Sequence, residues 1–216
     1  MQLLIVNPNT SNGVTRRIDA AAHALANEDD NFITVSAAFG PELIVTDQDG
    51  LDAVDGVLAS VHAHGQGVDG IVLGSFGDTG IEAVRLACPG IPVIGIANAA
   101  FSLARCISGR FSIVTFDESV APSLRARADF YGMANQLHRV AAVSDNNPFD
   151  AANVQIERFD AINALCDECA KEPITSIIMG GGPLAGLSSR IRASSVLPII
   201  DGTQAAIGML RGAISR

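Results

Sequence analysis

Short apolar runs alternate with longer stretches of helical periodicity along the whole chain. Leu3 to Val6 is apolar and stops at the polar turn Asn7-Pro8-Asn9-Thr10-Ser11-Asn12-Gly13, after which the Ala-rich stretch Val14 to Ala26 suits a helix. Asn31 to Ala37 alternates as a second strand. Ala53 to His64 has helical spacing, Gly70 to Leu73 reads as a third strand, Ile81 to Ala87 as a helix and Ile91 to Ile96 as a fourth strand. Strands separated by helices imply a parallel sheet. The second half repeats the scheme, with strands at Phe111 to Thr115 and Val140 to Val143, a helix at Ser119 to Tyr131 and one long helix from Asn153 to Lys171. Ser176 to Met179, Leu187 to Ala193 and Leu197 to Ile200 complete it.

The two halves also share a framework. Laid without a gap on residues 176–206, residues 70–100 match Ile71 with Ile177, Gly74 with Gly180, Gly80 with Gly186 and Ala87 with Ala193. Pro92 then falls on Pro198, Ile94 on Ile200, and Ala99-Ala100 on Ala205-Ala206, an order that favours an internal duplication. The expectation is an α/β fold of two pseudo-symmetric lobes, each with a parallel sheet flanked by helices, around a cleft. Residues 1–98 plus 201–216 would form the first lobe and residues 99–200 the second. Ligands of open α/β sheets bind beyond the carboxyl ends of the strands. The loops at residues 7–13, 74–80, 115–119 and 180–186 should therefore line the cleft.

Composition narrows the chemistry. The 216 residues are 48% apolar, enough for a sizeable core, and the net charge of −9 has the wrong sign for neutralising phosphates, so no nucleic-acid partner is expected. No apolar run reaches the roughly 20 residues of a membrane span, and Asn7-Pro8-Asn9 interrupts the first one too early for a secretory signal. A soluble cytoplasmic protein is expected. Cys166 and Cys169 form a lone C-x-x-C pair without a second pair or nearby His to complete a zinc set, so they are read as thiols on a helix and no metal site is assigned.

Within the loops, Asn7, Asn9, Thr10 and Ser11 can donate to a carboxylate or carbonyl, with Thr10 or Ser11 also serving as a helix cap. Gly74-Ser75-Phe76-Gly77-Asp78-Thr79-Gly80 offers backbone N–H groups before a helix. Ser75 stands where a reactive side chain would project, but the loop lacks the full nucleophile elbow because Leu73 takes the first glycine position. His62 and His64 belong on the solvent side or the last turn of the preceding helix, which weakens a Ser-His-Asp triad. Asp78 is either a general acid/base or a turn or capping residue. Gly180-Gly181-Gly182-Pro183-Leu184-Ala185 has the outline of a dinucleotide fingerprint, but Pro183 and its place at the last strands speak against one. A cradle for a small carboxylate or carbonyl fits both copies better.

Five segments in order, Val6 to Thr10, Phe76 to Gly80, Ile91 to Ala97, Arg110 to Thr115 and Leu197 to Gly202, span nearly the whole chain. Together they resemble the aspartate/glutamate/hydantoin racemase superfamily, in particular its hydantoin and allantoin racemase branch. The resemblance implies two lobes with an active site between them, a small-molecule substrate, no cofactor and a homo-oligomer. It also implies a cysteine after the third strand of each lobe, one removing a proton and the other returning it. Here those positions hold Ser75 and Gly181, and the family's usual Glu after Gly95-Ile96-Ala97 is Asn98. A serine hydroxyl is a far weaker acid than a thiol, and glycine offers no group, so the two-thiol route is closed. The expected function is that of a racemase-superfamily enzyme on a small carboxylate or cyclic ureide. Ser75 and Asp78 are its candidate catalytic residues, and Asn7, Asn9, Phe76, Gly77, Thr115, Phe116, Gly181, Gly182 and Pro183 would hold the substrate. A lyase or hydrolase on the same scaffold, or a binding protein that lost the chemistry, are the alternatives.

Overall fold

The structure, a computed structural model, describes residues 1–145, 147–191 and 197–214. Two four-stranded parallel sheets carry the chain. In the first, β1 (Gln2–Asn7), β2 (Asn31–Ser36), β3 (Gly70–Leu73) and β4 (Val93–Gly95) lie in the order β2-β1-β3-β4. In the second, β5 (Phe111–Thr115), β6 (Leu137–Ala142), β7 (Ser176–Met179) and β8 (Ile199–Asp201) lie in the equivalent order β6-β5-β7-β8. The central strands are buried along their length: Leu3 to Asn7, β3, β5 and β7 have no exposed residue. Such strands must be covered on both faces, and the helices do this.

The first half contains α1 (Asn12–His23), α2 (Asp47–His64), α3 (Ile81–Ala87) and α4 (Ile96–Ile107). Ser11, not Thr10, caps α1 by accepting from the Val14 amide, and α1 buries Val14, Ile18, Ala21 and Ala22. Helix α2 begins well before Ala53, because Thr46 and Asp49 form a reciprocal capping box that starts it at Asp47. The second half contains α5 (Ala121–Phe130), α6 (Val154–Glu157), α7 (Phe159–Cys169) and α8 (Gly202–Ile214). The single helix expected from Asn153 to Lys171 is broken at Arg158, whose backbone leaves helical geometry. Its side chain is 4% exposed and reaches the Phe116 and Asn147 carbonyls and the carboxylates of Asp117 and Asp145. A buried guanidinium needs that many acceptors, and the kink supplies the reach. The expected element from Leu187 to Ala193 is a short 3₁₀ turn over Leu187–Ser189, and its end, with the Ala193 match, lies outside the described residues.

The internal framework has structural counterparts. The Ile71 amide donates to the Pro92 carbonyl as Ile177 does to Pro198, and Gly80 and Gly186 adopt left-handed φ values of 81° and 79° that favour glycine. Helices α4 and α8, which follow β4 and β8, pack on each other, and α8 also touches α1 and β3. One continuous apolar core joins residues of both halves around Phe101, Phe111 and Ile162, and a smaller one lies between α2, α3 and the first sheet.

Candidate active site

A cavity of about 710 Å³ opens at the carboxyl ends of both sheets. Its lining includes Asn9 after β1, the Gly74–Gly80 loop after β3, Phe116 after β5 and Gly180–Pro183 after β7. The two glycine-rich loops touch backbone to backbone, and a Cβ on Gly182 would lie 2.5 Å from the Gly74 carbonyl oxygen. Two features missing from the strand-end argument complete the wall: Leu43, Val45, Leu51 and Val54 from the β2–α2 region, and Ser123, Arg127 and Phe130 from α5.

Of the residues singled out from the sequence, Asn9, Ser75, Phe76, Gly77, Asp78, Phe116, Gly181, Gly182 and Pro183 line this cavity. Asn7 and Thr115 do not. Asn7 is fully buried and its amide donates to Asn9 Oδ1, the Ser11 carbonyl and Thr15 Oγ1. Thr115, also fully buried, donates to the Gly180 carbonyl. Both stand one step behind the surface, their polar atoms turned to the loops they support. Asn9 is the residue that Asn7 positions. Its Oδ1 accepts from Asn7 and from the Ser11 amide, which can only donate, so the orientation of the Asn9 amide is fixed and its Nδ2 is left without an acceptor among the described residues.

The loops supply further unspent donors. The backbone N–H groups of Ser75, Phe76, Gly77, Gly181 and Gly182 make no hydrogen bond among the described residues. Buried polar groups are normally paired, so such a set along one cavity marks a place for acceptor atoms. The loops are rigidly held from behind: the Gly74 amide donates to Val6 and the Gly180 amide to Val114, while Gln155 Nε2 donates to the Pro183 and Ala185 carbonyls.

Ser75 borders the cavity. Its hydroxyl donates to Thr79 Oγ1 at 3.0 Å and accepts from the Thr79 amide, and among the described residues no histidine or carboxylate is hydrogen-bonded to it. His62 and His64 are exposed in the last turn of α2. The capping alternative for Asp78 is the geometry observed: its carboxylate accepts from the Ala97 and Asn98 amides at the start of α4 and from the Tyr131 hydroxyl. Burial pushes the Asp78 carboxyl above its ordinary range, against the pull of those three donors. Burial and Asp78 itself push the Tyr131 phenol upward, so Tyr131 remains a donor. With both oxygens engaged, Asp78 ties the loop to α4 and α5 and is not a free base.

No thiol reaches the cavity wall. Cys166 and Cys169 are buried on α7, burial pushing the Cys166 thiol up to about 12, while Cys88 ends α3 and Cys106 is exposed on α4. Among the described residues no group of three His, Cys, Asp or Glu is placed to hold a metal. Arg127 and Tyr131 escaped the sequence reading because they sit on and just after α5, where only the fold brings them against the Gly74–Gly80 loop.

Comparison with known proteins agrees with this architecture. A curated hydantoin racemase from Pseudomonas sp. (strain NS671) is 28% identical over 212 residues, covering 96% of this chain and 83% of its own. The solved allantoin racemase from Klebsiella pneumoniae is 32% identical, with a TM-score of 0.90 over 100% of this chain and 88% of that one. The allantoin racemase from Pseudomonas fluorescens is 25% identical, with a TM-score of 0.86 over 99% of this chain and 91% of that one. The sequence model of the Asp/Glu/hydantoin racemase family matches residues 3–210, and the chain belongs to that family.

Proposed function

We propose that the protein binds a small cyclic ureide of the hydantoin class in this cavity and exchanges the proton on its stereogenic ring carbon without a thiol. The observation that carries this reading is the set of unspent donors: five backbone N–H groups from two loops and the Asn9 amide, all in residues lining one cavity. A cyclic ureide presents carbonyl oxygens that such donors fit. When the ring carbon loses its proton, negative charge moves onto a ring oxygen, and donors fixed in advance stabilise that enolate more than the neutral ring. On the first face hydroxide from solvent takes the ring proton and becomes water, because Ser75, with no base beside it, does not accept one; its hydroxyl oxygen is held by the Thr79 amide and its O–H donates to the forming enolate. Gly181 supplies no group, so on the second face the proton comes from water. Asp78, Asn7 and Thr115 act as positioning residues. The names of the relatives, hydantoin and allantoin racemase, support the substrate class.

This reading keeps residues 1–98 plus 201–216 as one lobe and 99–200 as the other, supported by the two sheets and by the packing of α8 on α1 and β3. It also keeps the protein cytoplasmic and homo-oligomeric. Among the described residues no helix is long and apolar enough to cross a membrane.

The test is proton NMR in D2O with single enantiomers of 5-alkylhydantoins and of allantoin. The expected result is loss of the ring C–H signal together with loss of optical activity, slowed about 100-fold or more by Ser75→Ala. A new product without exchange would reassign the protein to lyase or hydrolase chemistry. Saturable binding with neither exchange nor product would make it a binding protein.

A further inference from the structure

The cavity wall is largely apolar, and one cationic side chain interrupts it. Arg127 is the only cationic residue among the described residues that line the cavity. It is half-buried, and its guanidinium carbon lies 5.1 Å from the centroid of the Phe130 ring. That stacking orients the planar head without using its N–H groups. No salt bridge or hydrogen bond among the described residues engages them, and Asp78, the carboxylate whose charge it feels, is already held by three other donors. Nη2 lies 4.0 Å from where a Cβ on Gly77 would stand, so the guanidinium fork hangs beside the loop whose Ser75, Phe76 and Gly77 amides are also unspent.

An oriented, unspent arginine next to free backbone N–H groups is a receptor for a carboxylate, which the fork can take in two parallel hydrogen bonds. The rest of the wall offers a second argument. The other ionisable lining groups, Asp47, Asp78 and Glu82, are acidic, so Arg127 is the charged side chain of the described wall that attracts an anionic substituent. The cavity is also far larger than a bare five-membered ring requires and falls in the range of ligands with a substantial substituent.

We infer that Arg127 is a specificity-determining residue that selects, among cyclic ureides, those whose ring substituent carries a carboxylate. The inference rests on the cyclic-ureide reading above and adds the side chain of the substrate to it. The ring binds at the Asn9, Ser75 and Gly181 end, the substituent runs along the apolar wall, and its carboxylate ends on the Arg127 fork.

Two ligands of similar length separate the claims: 5-(2-carboxyethyl)hydantoin and 5-propylhydantoin, with dissociation constants from titration calorimetry and exchange rates from NMR in D2O. The wild-type protein should bind the carboxylate ligand about 10- to 100-fold more tightly. Arg127→Met should bring the two constants within about twofold of each other, the loss falling on the carboxylate ligand and appearing in KM, not kcat. Arg127→Lys, which keeps the charge but not the fork, should retain only part of the preference, and added salt should erode what remains. Equal affinities in the wild type overturn the inference and leave the cyclic-ureide reading standing. So does a loss in Arg127→Met that is equal for both ligands or confined to kcat, which would assign Arg127 to the enolate. Failure of the wild type to bind either ligand overturns both.

Discussion

The helices that follow the last strand of each sheet begin alike and are capped from different places. At α4 the Ala97 and Asn98 amides donate to Asp78, a residue of the loop after β3. At α8 the equivalent donors, Thr203 and Gln204, bond Asp201, which ends β8 itself and also accepts from the Gly186 amide. The strand position matching Asp201 is Gly95, and a Cβ there would fall 2.0 Å from Asp78 Oδ1. Each half thus puts one carboxylate at the same spot on its helix, and whichever residue does not supply it must leave room. The geometry of the backbone donors persists between the halves, while the chain position of the acid does not. The consequence for the site is polarity. With the acid on the first loop, that loop acquires Tyr131 and the neighbourhood of Arg127, whereas the second loop is built from Gly181, Gly182 and Pro183 and carries no ionisable side chain.

The sharpest way to break the comparison is to remove the acids. Asp201→Ala orphans three backbone donors, all buried or part-buried, and should lower unfolding free energy by about 4 kcal/mol, while Asp78→Ala, whose third donor is a phenol with access to water, should lose about 3 kcal/mol in urea denaturation. A transplant tests whether only the spot matters. Adding Gly95→Asp to Asp78→Ala should restore about 1–2 kcal/mol of the loss, whereas Gly95→Asp alone, which drives two acids together, should be destabilising.

The smallest effect concerns the loops after β1 and β5. The first is held by neutral amides, through Asn7 and Asn9; the second by ions, through Arg158, Asp117 and Asp145. Burial pushes the Asp117 carboxyl up, but the Ser119 hydroxyl and amide and Arg158 outweigh it and hold it below 3.8. A carboxyl lowered by folding stabilises the folded form above its unfolded value and loses that contribution as pH falls through its folded value. Acidification below pH 3.8 should therefore reduce the hydrogen-exchange protection of the Ser119 amide, which Asp117 accepts. The Ser11 amide, held by Asn9, should keep its protection relative to it.

Most of the architecture was legible in the chain because buried parallel strands write themselves as short apolar runs ending in polar turns. The break at Arg158 was not, since the helical spacing of residues 153–171 is continuous and the kink depends on acceptors more than ten residues away. The strand-end argument picked out the loops that line the cavity but not which side chain of a loop faces inward. Asn7 and Thr115 are strand-terminal residues whose side chains point to neighbouring backbone, and alternation in a fully buried strand carries no signal of that choice. Arg127 lies on a helix whose apolar and polar positions do not separate cleanly, so nothing in the local pattern distinguishes it from Arg125, which is exposed.

Gly182 resting on the Gly74 carbonyl makes the junction of the two loops a keystone in which main chain meets main chain. A Cβ at Gly182 would also come within 3.4 Å of Ile18 and 3.6 Å of Val14, so any side chain there would have to push the second loop away from the first half of the molecule. Ser75 and Gly181 each stand one residue from this contact, and the spacing between them is tied to it.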